Sequence, residues 1–434
     1  MAAKYKVNAK GRESALGYGS LPFDAQITFF KKKLAMPTRT WTDLWQSNHD
    51  HAFVVAGATK MALVEDLQAD VQKAIEKGTT LHQFRKDFDA TVAKHGWTGW
   101  KGEGTKAGHA WRTKIIYQTN MRTSYAAGRF EQLQSFEYWQ YHHSPVSNDP
   151  RPEHLKYNGL IRPKDDPIWD VIFPPNGWGC NCYVTGLSKQ RMKAKGLKVS
   201  DPIELEWEER LVGSHGPSPR TVKVPKGIDP GFAYAPGRSA WMRAHVPAPK
   251  GSAPNGFAQL IPARSARDLM PEPLPFAKDK LLPAMPVGDE EKYVARFLDQ
   301  FGGDIGKPVL FTDAAGDAVV ISEALFKDFK GRWKVAKRER EQYLLMLAEA
   351  IKHPDEIWVG MEWHHATGKA IVRRRYISRH QIEGSNLPAF TVFEHGRDGW
   401  QGKTTYAPDH PVKEFDQELE NIRKGVRLYK RSDK

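Results

Sequence analysis

The sequence predicts a multidomain chain. A mainly α N-terminal domain carries an irregular Cys/His segment that reads as a metal knuckle, a Pro-rich linker follows, and an α+β domain with an antiparallel sheet closes the chain. Three observations predict this. Apolar residues recur at helical spacing through the early chain. Fourteen of the 29 prolines crowd between Pro217 and Pro286, the mark of semi-extended chain. Beyond them, β-rich runs separated by turn residues follow an amphipathic helix. The domains divide at 1–212, 213–289 and 290–434.

In order, MALVEDLQADVQKAIEKG places Val64, Leu67, Val71 and Ile75 on one helical face and stops at Gly78. Thr79 or Thr80 caps a second helix, whose stripe is Leu81, Phe84, Phe88 and Val92 and which Gly96 ends. A longer third helix is expected from about Ala110 to Gln134. From Tyr138 to Val184 turn residues and prolines dominate, so this stretch needs something other than regular structure to hold it. Within the linker, DPGFAYAPGRSAW (Asp229 to Trp241) has enough aromatics to dock on another surface. Downstream, PVLFTDAAGDAVVIS reads as two short strands around a turn. Tyr343, Leu347, Ala350 and Ile351 stripe a helix that Pro354 closes, and EIWVGM, KAIVRRRYIS and AFTVFE read as three strands.

At 434 residues and 40% hydrophobic, the chain can bury real cores, and its net charge of +14 is spread thinly along it. That favours modest attraction to an acidic partner or nucleic acid over one dedicated DNA-binding domain. No run approaches the ~20 apolar residues of a membrane span, and the opening MAAKYKVNAKGRES lacks a secretory apolar segment. No membrane partner and cytosol-like surroundings are therefore expected. Cys180 and Cys182 are too close in sequence for an ordinary disulfide.

Those cysteines, with His142, His143, Asp149 and His154 upstream, offer the thiolate and imidazole donors that zinc favours, although paired zinc cysteines more often stand two residues apart. Packing thiols beside solvated histidines are the alternative. The run KAIVRRRYISRH carries six basic residues and no acid. As a strand it sends Arg373 and Arg375 to one face and Arg374 and Tyr376 to the other. With Lys403, Thr404 and Tyr406 farther on, it resembles the cation and hydroxyl set that metal-free RNA cleavage needs; a solvated edge strand is the plainer reading. Lys31 to Lys33 read as a solvated helix end, and His49, Asp50 and His51 as a cap for the segment after them. No Walker loop, dinucleotide fingerprint or nucleophile elbow occurs.

LPFDAQITFFKKKLAMPTRTWTDLW, TTLHQFRKDFDATVAKHGW, QTNMRTSYAAGRFEQL and the D-x-R-x-x-H, Gly and C-x-C block of residues 138–188 resemble Mu-type phage head morphogenesis proteins of the F group, over roughly residues 15 to 240. Asp149, Arg151, His154, Gly159, Cys180 and Cys182 occupy the signature positions. The resemblance implies a minor head protein in the virion, assembled in host cytoplasm, with portal or major capsid protein as partner and packaged DNA as a weak, nonspecific one. It also favours structural zinc on His154, Cys180 and Cys182, with Asp149 or His142 fourth. HPDEIWVG, RRRYI, GKTTY and NIRKGVRLYK resemble the phage members of the barnase, EndoU, colicin and RelE ribonucleases, which implies a helix plus antiparallel sheet and metal-independent cleavage of RNA. Arg375, Tyr376, Thr404 and Tyr406 carry over as candidates, Lys403 assists, and His380 is a possible acid or base on chemistry alone. The rival readings are a structural capsid protein with an inert C-terminal domain that binds capsid or nucleic acid, and a DNA-packaging accessory.

Overall fold

The computed structural model describes residues 23–432 apart from 147–149, 215, 217–218, 246–252, 254–256, 258–269, 329–330, 336–339, 366–367, 386–387, 397–404, 407–418 and 420–421. The chain opens with α1 (Asp24–Lys31) and the short parallel pair β1 (Leu34–Ala35) and β2 (Ala52–Phe53). The helices α2 (Met61–Lys77), α3 (Leu81–His95) and α4 (Lys106–Leu133) follow. Val64, Leu67, Val71, Phe84 and Phe88 are fully enclosed among them, the faces that the periodicity marks. The Thr80 hydroxyl accepts from Gln83 N at 3.3 Å and caps α3. α4 starts four residues earlier than expected because Thr105 caps it, accepting from Gly108 N at 3.0 Å.

The stretch expected to be irregular contains β3 (Tyr138–His142), α5 (Pro152–Lys156), β4 (Ile161–Pro163), α6 (Trp169–Ile172), β5 (Tyr183–Leu187) and α7 (Lys189–Ala194). β3 runs antiparallel between β4 and β5. Strands of three to five residues are too short to print a two-residue period against a background of prolines. Their core is aromatic: Phe130, Trp139, Tyr141, Trp169 and Phe173.

The described residues of the segment expected to be linker are built into the two modules. The hairpin β6 (Trp207–Val212) and β7 (Arg220–Pro225) spans the expected boundary, and α8 (Arg238–His245) follows. Ile228, Phe232 and Ala235 join the aromatic core, with Trp241 packed against it. Asp50 does cap a helix, but a distant one: it accepts from Gly237 N at 2.9 Å and Ser239 N at 3.1 Å, at the start of α8.

The C-terminal module comprises β8 (Leu274–Phe276), α9 (Glu290–Asp299), the hairpin β9 (Val309–Thr312) and β10 (Ala318–Ile321), α10 (Leu344–Lys352), β11 (Glu356–His364), β12 (Lys369–Ile382), β13 (Ala389–Gly396), β14 (Thr405–Tyr406) and β15 (Val426–Lys430). The sheet order β14-β13-β12-β11-β15 is antiparallel, and β8 adds a parallel strand at the end of β12. The chain is thus a multidomain α+β protein, as the sequence indicates. A free tether does not separate its modules among the described residues. Met36, Leu44 and Ala52 share a core with Val359, Met361, Ala370 and Val426, and Asp317 accepts from Met61 N at 2.9 Å at the first turn of α2. No described helix is long and apolar enough to cross a membrane.

Candidate functional site

α5 carries His154, and the loop before β5 carries Cys180 and Cys182; their donor atoms lie within 4.8 Å of one another. His154 Nδ1 is 3.8 Å from Cys180 Sγ and 3.7 Å from Cys182 Sγ. Bonds of ~2.3 Å to sulfur and ~2.0 Å to nitrogen give a tetrahedral S···N edge of about 3.5 Å, so the spacing suits a metal. The imidazole is set for it as well. Its Nε2 donates to the Gly227 carbonyl at 3.0 Å, which leaves Nδ1 unprotonated toward the sulfurs. Cys180 hydrogen-bonds to Cys182; this pulls the Cys182 thiol down and pushes Cys180 up, so the pair readily holds one negative charge.

His143 Nδ1 stands 3.5 Å from Cys182 Sγ and lines the same cleft of about 230 Å³ as the three donors. His142 points elsewhere: it bonds Thr185 Oγ1 at 2.8 Å and stacks on Tyr183. Asp149 lies outside the described residues. Arg151 holds the loop in place. It pairs with Asp229 at 2.8 Å, and Asp229 also accepts from Trp178 N at 2.8 Å. A Cβ on Gly177 would sit 2.0 Å from Arg151 Nη1 and 2.4 Å from Asp229 Oδ2, so a larger residue there would push the pair aside. Asp229 and Gly227 were not singled out from the sequence as site residues. Their one signal is that the resemblance runs on to DPGFAYAPG.

In the C-terminal sheet, β12 alternates as expected but presents no bare cations. Arg375 Nε binds Glu394 at 2.7 Å and its Nη2 binds Glu362. Arg373 binds Glu394 at 3.0 Å on the same face. On the other face Arg374 binds Asp313 at 2.8 Å and Asp317 at 2.7 Å, and the Tyr376 hydroxyl donates to Asp313 at 2.7 Å. Tyr376 is fully enclosed in the core under α9 and α10. His380 is also buried, edge-on to Phe276, and desolvation pushes its pKa down to about 4. The fold therefore does not bring Tyr376 or His380 to Arg375. Tyr406 sits opposite Phe390 on the neighbouring strand pair; Lys403 and Thr404 lie outside the described residues. Glu362 and Glu394 are the partners that sequence reading missed, because they come from the strands on either side of the basic run.

These features define a two-part class: a helical module clasped by a Cys/His cluster, joined to an α+β module with a charged sheet. Residues 65–185 match the family model described as Phage Mu protein F like protein, and residues 296–430 the model described as phage-Barnase-EndoU-ColicinE5/D-RelE like nuclease2. The chain is 34% identical over 192 residues to the putative capsid assembly protein F of Escherichia phage Mu, covering 42% of this chain and 44% of that protein. It is 35% identical over 187 residues to the Mu-like prophage FluMu F protein of Haemophilus influenzae, covering 41% and 44%. The chain thus spans less than half the length of these curated relatives. No solved structure matches it. It carries a domain similar to phage Mu protein F followed by a phage nuclease-like domain.

Proposed function

We propose that the chain is a minor head protein of a phage virion, seated at the portal or on the major capsid protein, whose C-terminal domain is a metal-independent ribonuclease. The observation that carries the head reading is the gathering of Arg151, His154, Cys180 and Cys182 at one point of the stretch that matches the Mu F family. Zinc suits this donor set. His154, Cys180 and Cys182 would hold it, with His143 in the fourth place for which the sequence offered Asp149 or His142. Its role is to tie α5 to the loop before β5.

In the nuclease module Arg375 is assigned to phosphate charge. Glu362, whose side chain is 30% exposed beside it, takes the 2'-hydroxyl proton as the 2'-oxygen bonds to phosphorus, because a base must meet solvent and substrate; the P–O5' bond breaks and water protonates the departing 5'-oxygen. Glu394, nearly enclosed, is a positioning residue. Lys403, Thr404 and Tyr406 are assigned to orienting the phosphate, and Tyr376 and His380 to packing. Packaged DNA is a weak, salt-sensitive partner through the net charge of +14.

One observation favours a second reading, an inert structural domain: Arg373, Arg374 and Arg375 all have carboxylate partners. Mass spectrometry of purified particles tests the head assignment. Peptides from both modules in mature virions support it, and their absence from particles at every assembly stage overturns it.

A further inference from the structure

A cavity of about 130 Å³ lies in the N-terminal module between the segment after α1, the middle of α4 and the turn at Pro230–Tyr234. Two cations line it and no carboxylate does. Lys33, which the sequence placed at a solvated helix end, is only 7% exposed. Its ammonium lies 4.9 Å from the Phe29 ring centre and 5.8 Å from that of Phe30, and makes no hydrogen bond or ion pair among the described residues. Asp50 acts on it through space, but the Asp50 oxygens are occupied at the start of α8. Arg112 is equally buried; it donates through one terminal nitrogen to the Ala56 carbonyl, while its Nε has no partner. Cations this enclosed and this short of acceptors are costly. Burial lowers Lys33 to about 8, so it is still charged at neutral pH.

The rest of the wall is mostly apolar, aliphatic along α4 and β2 and aromatic toward the opening. Trp41, Trp45, Trp178 and Phe232 line the space; Trp41 and Trp178 meet edge to face and are 38% and 40% exposed, which places them at the mouth. A dry cavity of about 150 Å³ accommodates benzene; this one is slightly smaller but open at its mouth, a size that matches one ring and excludes larger bodies.

We propose that this cavity is a binding site for a compact organic anion, a carboxylate on a single-ring apolar body, with Lys33 and Arg112 taking the carboxylate and the tryptophans enclosing the ring. The site adjoins the Cys/His cleft through Trp178, which lines both, but draws its cations from elsewhere; it is separate from the charged sheet and does not rest on the functional reading above. Sodium benzoate is the probe. Titrated into the full chain, it should change tryptophan fluorescence saturably, and Lys33→Met should weaken it at least tenfold, whereas Lys31→Ala, on the exposed end of α1, should leave it unchanged. Benzyl alcohol and inorganic phosphate keep the test decisive if Lys33→Met does not fold: both should bind at least tenfold more weakly than benzoate to the unaltered chain. Equal binding of benzyl alcohol, preference for phosphate, or no saturable change up to about 10 mM benzoate, a range in which even millimolar affinity registers, overturns the proposal.

Discussion

His154 and Gly227 are joined by a hydrogen bond of 3.0 Å that spans 73 residues and fixes which imidazole nitrogen meets the cysteines. Gly227 has φ +83°, and a Cβ there would fall 2.5 Å from Glu153 Cβ, next to His154 in α5. Gly227→Ala should therefore cost about 2 kcal/mol or more and loosen the imidazole. Urea unfolding followed by tryptophan fluorescence checks this, and an unchanged midpoint would count against the role given to this contact.

Elemental analysis of the purified full chain should find about one zinc per chain. Chelation or Cys180→Ser should remove it and lower the melting temperature of the N-terminal module by about 5–10 °C, as expected for a loss of about 2–3 kcal/mol. His143→Ala should weaken retention while His142→Ala leaves it intact. Metal-free protein with unaltered melting would reduce the cluster to packing.

The buried His380 makes stability depend on acid. Its folded pKa is about 4, below the ordinary 6.5, so the unfolded chain binds more protons between those values and stability falls as pH drops from 6.5 to 4, by up to about 3 kcal/mol. His49 and His51, each held near 3 by burial, act in the same direction. Asp50 opposes them: burial raises it to about 6, so its contribution is greatest at low pH and fades as pH rises through 6. His380→Phe should flatten the loss over pH 6.5 to 4 in equilibrium urea unfolding. An unchanged slope would mean that the ring is hydrated.

Long periodic elements were legible in the sequence and short ones were not. The stripes of α2 and α3 and their terminal glycines stand at the expected residues because many side chains repeat one instruction. β3, β4 and β5 have too few residues for that. β8 lay hidden in a proline-rich stretch, since a short strand with Pro275 pairs only locally. The three-donor cluster was readable from the signature, but its supports were not: Gly227 and Asp229 act through backbone approach and a pairing 78 residues distant. Likewise the basic run on β12 disclosed its alternation, but not the neutralising Glu362, Glu394, Asp313 and Asp317, which only sheet register and hairpin docking bring to it.

RNA cleavage by the full chain in excess EDTA tests the proposed activity most directly. The account predicts cleavage that survives EDTA, falls at least a hundredfold in Glu362→Gln, as loss of a general base does, and is lost in Arg375→Ala, with Glu362→Gln melting near the unaltered protein. No cleavage, cleavage that needs added metal, or full activity in Glu362→Gln would contradict it.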